Sequence, residues 1–136
     1  MTRRFACRAA AAVTRRVALS LAGLALAACA TRGPADPDAP REARRHPLAP
    51  HALHEECMKL APGDRMDYRF TSTGPVAFNV HYHAGNAVVM PVAREAITAD
   101  SGIFQPALAQ EYCVMWEAGA APVLLDYRVA VRRRAP

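Results

Sequence analysis

The sequence holds little of what enzyme active sites usually display. Its seven glycines form no phosphate-cradling loop, no Gly-x-Ser-x-Gly elbow occurs, and none of its four cysteines is spaced as Cys-x-x-Cys. Nor do the five histidines contain the His-x-x-x-His pair that places two metal ligands on one helical face. A non-enzymatic role is the expectation. A membrane-spanning helix is also missing, since it needs roughly 20 apolar residues and the N-terminal run Val17 to Ala28 is shorter.

What is there begins with that run. Arg3, Arg4, Arg8, Arg15 and Arg16 precede it, which is the order of charge and apolar stretch in an export leader. It ends Leu26-Ala27-Ala28-Cys29, which resembles the bacterial lipobox: an aliphatic residue, two small ones, then a cysteine that receives lipid. The resemblance implies cleavage after residue 28 and a mature chain anchored in the bilayer through acylated Cys29. Two or three acyl chains hold a protein stably where one does not. Ala30 follows the cysteine, and the family's sorting rule then implies the outer membrane, on its periplasmic side. "TRRVAL", Thr14 to Leu19, resembles the twin-arginine export motif with Ala18 in place of the usual Phe, so general secretion and twin-arginine export both stand open.

Removal of the leader changes the charge. Of 17 Lys and Arg, the five leader arginines depart, leaving 12 against 12 acidic residues. A near-neutral mature chain argues against a nucleic-acid partner, which needs a basic excess. Arg132 to Arg134 remain as a local basic patch, read as a solvated strand end or a contact with anionic lipid. Residues 29–54 are rich in Pro, Ala and charge, with prolines at 34, 37, 40, 47 and 50 that forbid a continuous helix. A flexible tether is expected there, carrying His46, His51 and His54, and a folded domain over 55–136.

In that domain the apolar pattern has period two, the mark of antiparallel strands with one buried face. Met66, Tyr68 and Phe70 share one face; Val76, Phe78, Val80 and Tyr82 another; Val123, Leu125, Tyr127, Val129 and Val131 a third. Turns are expected at Ala61–Asp64, Ser72–Pro75, Ala84–Asn86, Asp100–Gly102 and Glu117–Pro122. Further strands fall near Val88–Val92 and Glu111–Trp116, and "REAITADSG" is expected to supply one helical turn. The fold class is all-β, a small antiparallel β-sandwich. Cys57 and Cys113 are the only cysteines of this domain, Cys57 opening its first strand. In an exported chain such a pair reads as a disulfide, with thiolate metal ligation as the rival. A bridge closing so long a loop would stabilise the fold by roughly 4 kcal/mol.

The order "EECMKLAPGDRMDYRF", "SGIF", "EYCVMWEAG" resembles the GOLD (Golgi dynamics) domain. In that β-sandwich a cysteine near the first strand bridges to one that follows a tyrosine late in the chain, the places of Cys57, Tyr112 and Cys113. Gly102 and Phe104 match its Gly-Phe-like element approximately, while Val114, Met115 and Trp116 depart from the family pattern. The resemblance implies a binding module and carries no catalytic residue.

"FNVHYH", Phe78 to His83, supplies the candidate site. Residues i and i+2 of a strand project to one side, so His81 and His83 could share one metal ion. Met90 and Met115 would add thioether sulfur, a donor set suited to copper. The same residues also read as the wet face of a strand, with Asn79 beside them. Two functions follow: a lipid-anchored binding module for an envelope protein or component, with no cofactor, or a periplasmic copper-binding lipoprotein.

Overall fold

The structure is a computed structural model that describes residues 36–135; Cys29 and the leader lie outside them. Six strands follow one another: β1 (Arg41–Leu48), β2 (Leu53–Leu60), β3 (Arg65–Ala84), β4 (Ala87–Phe104), β5 (Gln110–Ala118) and β6 (Val123–Arg132). All are antiparallel neighbours in one curled sheet, in the order β1-β6-β3-β5-β2, with β4 on the other edge of β3.

The long strand β3 organises the sheet. Its first half, Arg65–Ser72, pairs with β6, its second, Val76–His81, with β5, and β4 accompanies both. Two four-stranded halves result, β1-β6-β3-β4 and β2-β5-β3-β4, closed over one core. The bend falls at Thr73-Gly74-Pro75. Proline has no N–H for a ladder bond, and a Cβ on Gly74 would come 3.0 Å from Val123 Cγ1. The strand therefore turns a corner where "STGP" promised a reversal. The reversal comes at Gly85-Asn86, between paired Ala84 and Ala87. Gly85 at φ +61° suits the first central position of a tight hairpin.

Alternation decides what is buried. Met66, Tyr68, Phe70, Val76, Phe78, Val80, Val123, Leu125, Tyr127 and Val129 all face the core, with Tyr82 and Val131 packed at its margin. Phe70 of one half and Trp116 of the other meet edge-on at 5.9 Å, and Trp116 lies 4.8 Å from Tyr127. These contacts fill the core between the two halves, which the continuous pair β3–β4 already joins along one side.

Three expectations need correction. Residues 41–54 are not tether: β1 pairs with β6, and β2, not a strand opened by Cys57, begins at Leu53. β1 is an edge strand that buries little besides Leu48, so apolar alternation could not reveal it, and an edge tolerates Pro47. "REAITADSG" forms strand, not a helical turn, because β4 is templated along all of β3. Asp100–Gly102 lies inside β4 rather than in a turn. Irregularity in β4 is confined to bulges, one of them at Ala96 with φ +51°, the kind of distortion that blunts an exposed edge.

Candidate functional site

Cys57 and Cys113 are bridged, from directly opposed positions of β2 and β5 with Cα atoms 4.0 Å apart. His81 is the register partner of Cys113 on the next strand, so bridge and imidazole lie in one row across the sheet. The face expected to be wet is not: Asn79 and His81 are buried, at 6% and 5% exposure. Their neighbours cover them. His81 Nδ1 lies 2.8 Å from Asn79 Oδ1, and Nε2 lies 3.1 Å from Glu55 Oε1. The His83 ring stands edge-on to His81 at 5.4 Å, itself exposed. Met115 is opposite Asn79, and Met90 is exposed in β4 near the hairpin tip. Glu55, His81 and Cys113 bring potential ligand atoms within 4.8 Å of one another. The Cys113 sulfur is committed to the bridge, so the metal donors on offer there are His81, Glu55 and His83.

A second histidine cluster sits where β1, β2 and β6 converge, in the stretch the sequence marked as tether. Tyr127 donates its hydroxyl to Glu56 at 2.6 Å, and His54 Nε2 lies 2.8 Å from the same phenol oxygen. Arg41 Nη1 approaches Glu56 at 3.7 Å. The His54 ring is 4.3 Å from that of His46 and stacks over Trp116 at 6.0 Å. Burial, then the neighbouring His46, holds the His54 imidazole below its usual pKa. Burial and the Glu56 carboxylate keep the Tyr127 phenol well above its own. Chemically this is a clasp: it ties β2 of one half to β6 of the other over the Trp116 ring.

The third feature is a groove of about 430 Å³ on the outer side of β1, β6 and β3, lined by Glu42, Arg44, Arg69, Thr71, Asp126 and Arg128 among others. A bulge in β1 between Ala43 and His46 makes it. There Arg45 takes φ +52° and donates its amide to Asp126, which engages one oxygen of that carboxylate. Arg69 and Arg128 are direct cross-strand partners, an arrangement that costs stability through like-charge repulsion. Glu42 pairs with Arg128. Arg69 and Arg44 make no ion pair among the described residues. The groove thus holds three arginines against two carboxylates, Glu42 and Asp126, and two of those guanidinium groups make no ion pair among the described residues. Nothing in the sequence marked it, because these arginines are far apart along the chain.

At the end where β2 gives way to β3, Arg133 gathers Asp38 at 2.6 Å, Asp64 at 2.9 Å and the Lys59 carbonyl at 2.7 Å. Asp64 is held below its usual pKa by the amides of Ala61 and Arg134, then by Arg133. The basic patch is therefore partly spent: Arg133 fastens the N-terminal segment, and Arg132 lies 2.9 Å from Asp67.

The sequence matches no protein-family model and no curated protein. Among solved structures it resembles PliG of Aeromonas hydrophila, a periplasmic lysozyme inhibitor of g-type lysozyme, at 13% identity over 68% of this chain and 86% of that one, with a TM-score of 0.49. It also resembles a de novo designed double-stranded β-helix, at 18% identity over 68% of this chain and 99% of that one, with a TM-score of 0.35. Likenesses this remote carry over no partner, so function rests on the residues of this chain.

Proposed function

We propose that the protein is a lipid-anchored, non-enzymatic binding module of the bacterial cell envelope, which holds an acidic group of an envelope partner in the Arg44–Arg69–Arg128 groove. The single observation behind it is the like-charged pair Arg69 and Arg128, kept opposite each other with Arg44 nearby, three arginines against the two carboxylates Glu42 and Asp126. Planar guanidinium forks match carboxylate or phosphate oxygens two at a time, and a bound anion would turn the repulsion into attraction. The likeness to GOLD domains, themselves binding modules, supports the same class of role. The lipobox-like Leu26-Ala27-Ala28-Cys29 supplies the anchor, on the periplasmic side of the outer membrane, and mass measurement of the mature N-terminal peptide tests it.

The groove is tested by titrating the isotope-labelled protein with hexaglutamate and, as a control, hexalysine. Hexaglutamate should shift the amide resonances of Arg44, Arg69, Thr71 and Arg128 and leave those around His81 in place, and Arg69→Glu should remove the effect. Equal response to both peptides, or none, would sink the proposal.

A second reading has its own observation. His81 and His83 stand 5.4 Å apart beside the Glu55 carboxylate, a set that fits copper or zinc once Nε2 of His81 leaves its carboxylate contact. Met90 and Met115 are the sulfur donors it would recruit. A stoichiometric copper-induced rise in melting temperature, lost in the His81→Ala, His83→Ala double variant, would establish it.

A further inference from the structure

The exposed apolar residues are not scattered. Six large apolar side chains are exposed among the described residues: Leu53, Val88, Val89, Met90, Ile103 and Leu108. All but Leu53 lie at one end of the sandwich. Val88 and Val89 oppose His83 and Tyr82 at the tip of the β3–β4 hairpin. Tyr82 touches Tyr112, and Tyr112 touches Phe104 of the other half, with ring centroids 5.2 and 5.0 Å apart. Ile103 and Leu108 flank Phe104 in the chain. Leu53 opposes Glu117 at the far end of β2.

The same end receives the N-terminal segment. Phe104 pairs with Met66, and Met66 with Val131, two residues before Arg133, and Arg133 grips Asp38. A shallow recess of about 470 Å³ joins Lys59, Leu60, Gln110 and Arg133 there, confirming that the start of β5 and the end of β6 are neighbours. Between Cys29 and Asp38 lie nine residue spacings, at most about 32 Å of chain however it runs. An acyl group on Cys29 therefore keeps this end within reach of the bilayer.

We propose that the hairpin tip Val88-Val89-Met90, with Leu108 beside it, inserts into the lipid surface and orients the domain on the membrane. The proposal rests on lipidation of Cys29. From Ala84 to Ala93 the chain carries no charge, so no ionised group in the tip has to be dragged out of water. The ion pairs nearby are largely internal, Asp38 and Asp64 with Arg133 and Asp67 with Arg65 and Arg132. The contact is thus apolar, and anionic lipid is not required for it. The arginine groove, by contrast, belongs to the outer side of β1, β6 and β3, so one surface meets lipid and another is left for the partner.

The experiment uses the mature lipidated protein in phosphatidylcholine vesicles, with and without phosphatidylglycerol. A fluorescent unnatural amino acid is placed at position 89 or, as control, at position 53. The probe at 89 should shift to the blue and be quenched by nitroxide-bearing acyl chains in both vesicle types, while the probe at 53 does neither. Val88→Asp with Met90→Asp should lower the partitioning of the tip into lipid about a hundredfold, since each apolar side chain moved into hydrocarbon counts for roughly tenfold. The melting curve should not change, because both residues stand outside the core. If Cys29 carries its acyl mass and the probe at 89 stays as aqueous as that at 53, the inference falls and the anchor stands. Absence of the acyl mass would remove both. A blue shift without lipid quenching, present before vesicles are added, would mean that tips pair between copies of the protein, and would overturn the membrane assignment.

Discussion

His54 and Asp64 make stability depend on pH in two separate windows. Burial and His46 disfavour the imidazolium of His54 in the folded chain, so the unfolded chain takes up that proton more readily. Stability should fall as the pH drops below about 6.5, the ordinary histidine value. The carboxyl of Asp64 is depressed instead. Its contribution is present above its unfolded value of about 3.8 and is lost as the pH falls through the lower folded one. Thermal melts from pH 7.5 to 2.5 should show both losses, and His54→Gln should abolish the first while leaving the second. Tyr127→Phe deletes the donor to Glu56 and should cost about 1 kcal/mol in urea unfolding; an unchanged midpoint would remove the clasp from the account. Cys57→Ala with Cys113→Ala should cost roughly 4 kcal/mol by the chain-entropy argument, seen as loss of most or all of the urea transition.

At the level of strands, what was legible in the sequence was what alternates. β6 and the first half of β3 bury every second residue, and β5 and the rest of β3 bury Asn79, His81 and Cys113 besides; the apolar inward sets could be read in advance, as could the hairpin at Gly85-Asn86. β1 was not legible, because an edge strand held by backbone pairing to β6 and by Glu42 with Arg128 needs few apolar residues. β4 was half legible for the same reason: its outer edge pairs with no strand among the described residues, and its small and polar residues read as a turn. The clasp and the groove were illegible in principle, since Glu56 and Tyr127, or Arg69 and Arg128, meet only after the sheet has curled. Leu48 tests β1 directly. It is 4% exposed, and Leu48→Ala should cost about 2–4 kcal/mol in chemical denaturation, whereas a residue of a loose tether would cost nothing.

Taken whole, the domain has a floor and a flank. Its floor carries the N-terminal segment at Asp38 and the apolar hairpin tip, and its flank carries the arginine groove. The His81 row lies on the other half of the sheet, tied down by Asn79, Glu55 and the bridge beside it. Under the proposed anchoring this division gives the protein an orientation as well as a location, and the groove becomes the surface left for a partner. The most direct measurement is crosslinking in living cells from a photoreactive amino acid at Thr71, in the groove, against the same group at Glu117, on β5. One discrete adduct is expected from position 71, lost when Arg69→Glu is added, and none from position 117. Adducts from both positions alike, or an adduct indifferent to Arg69, would contradict the proposed role of the groove.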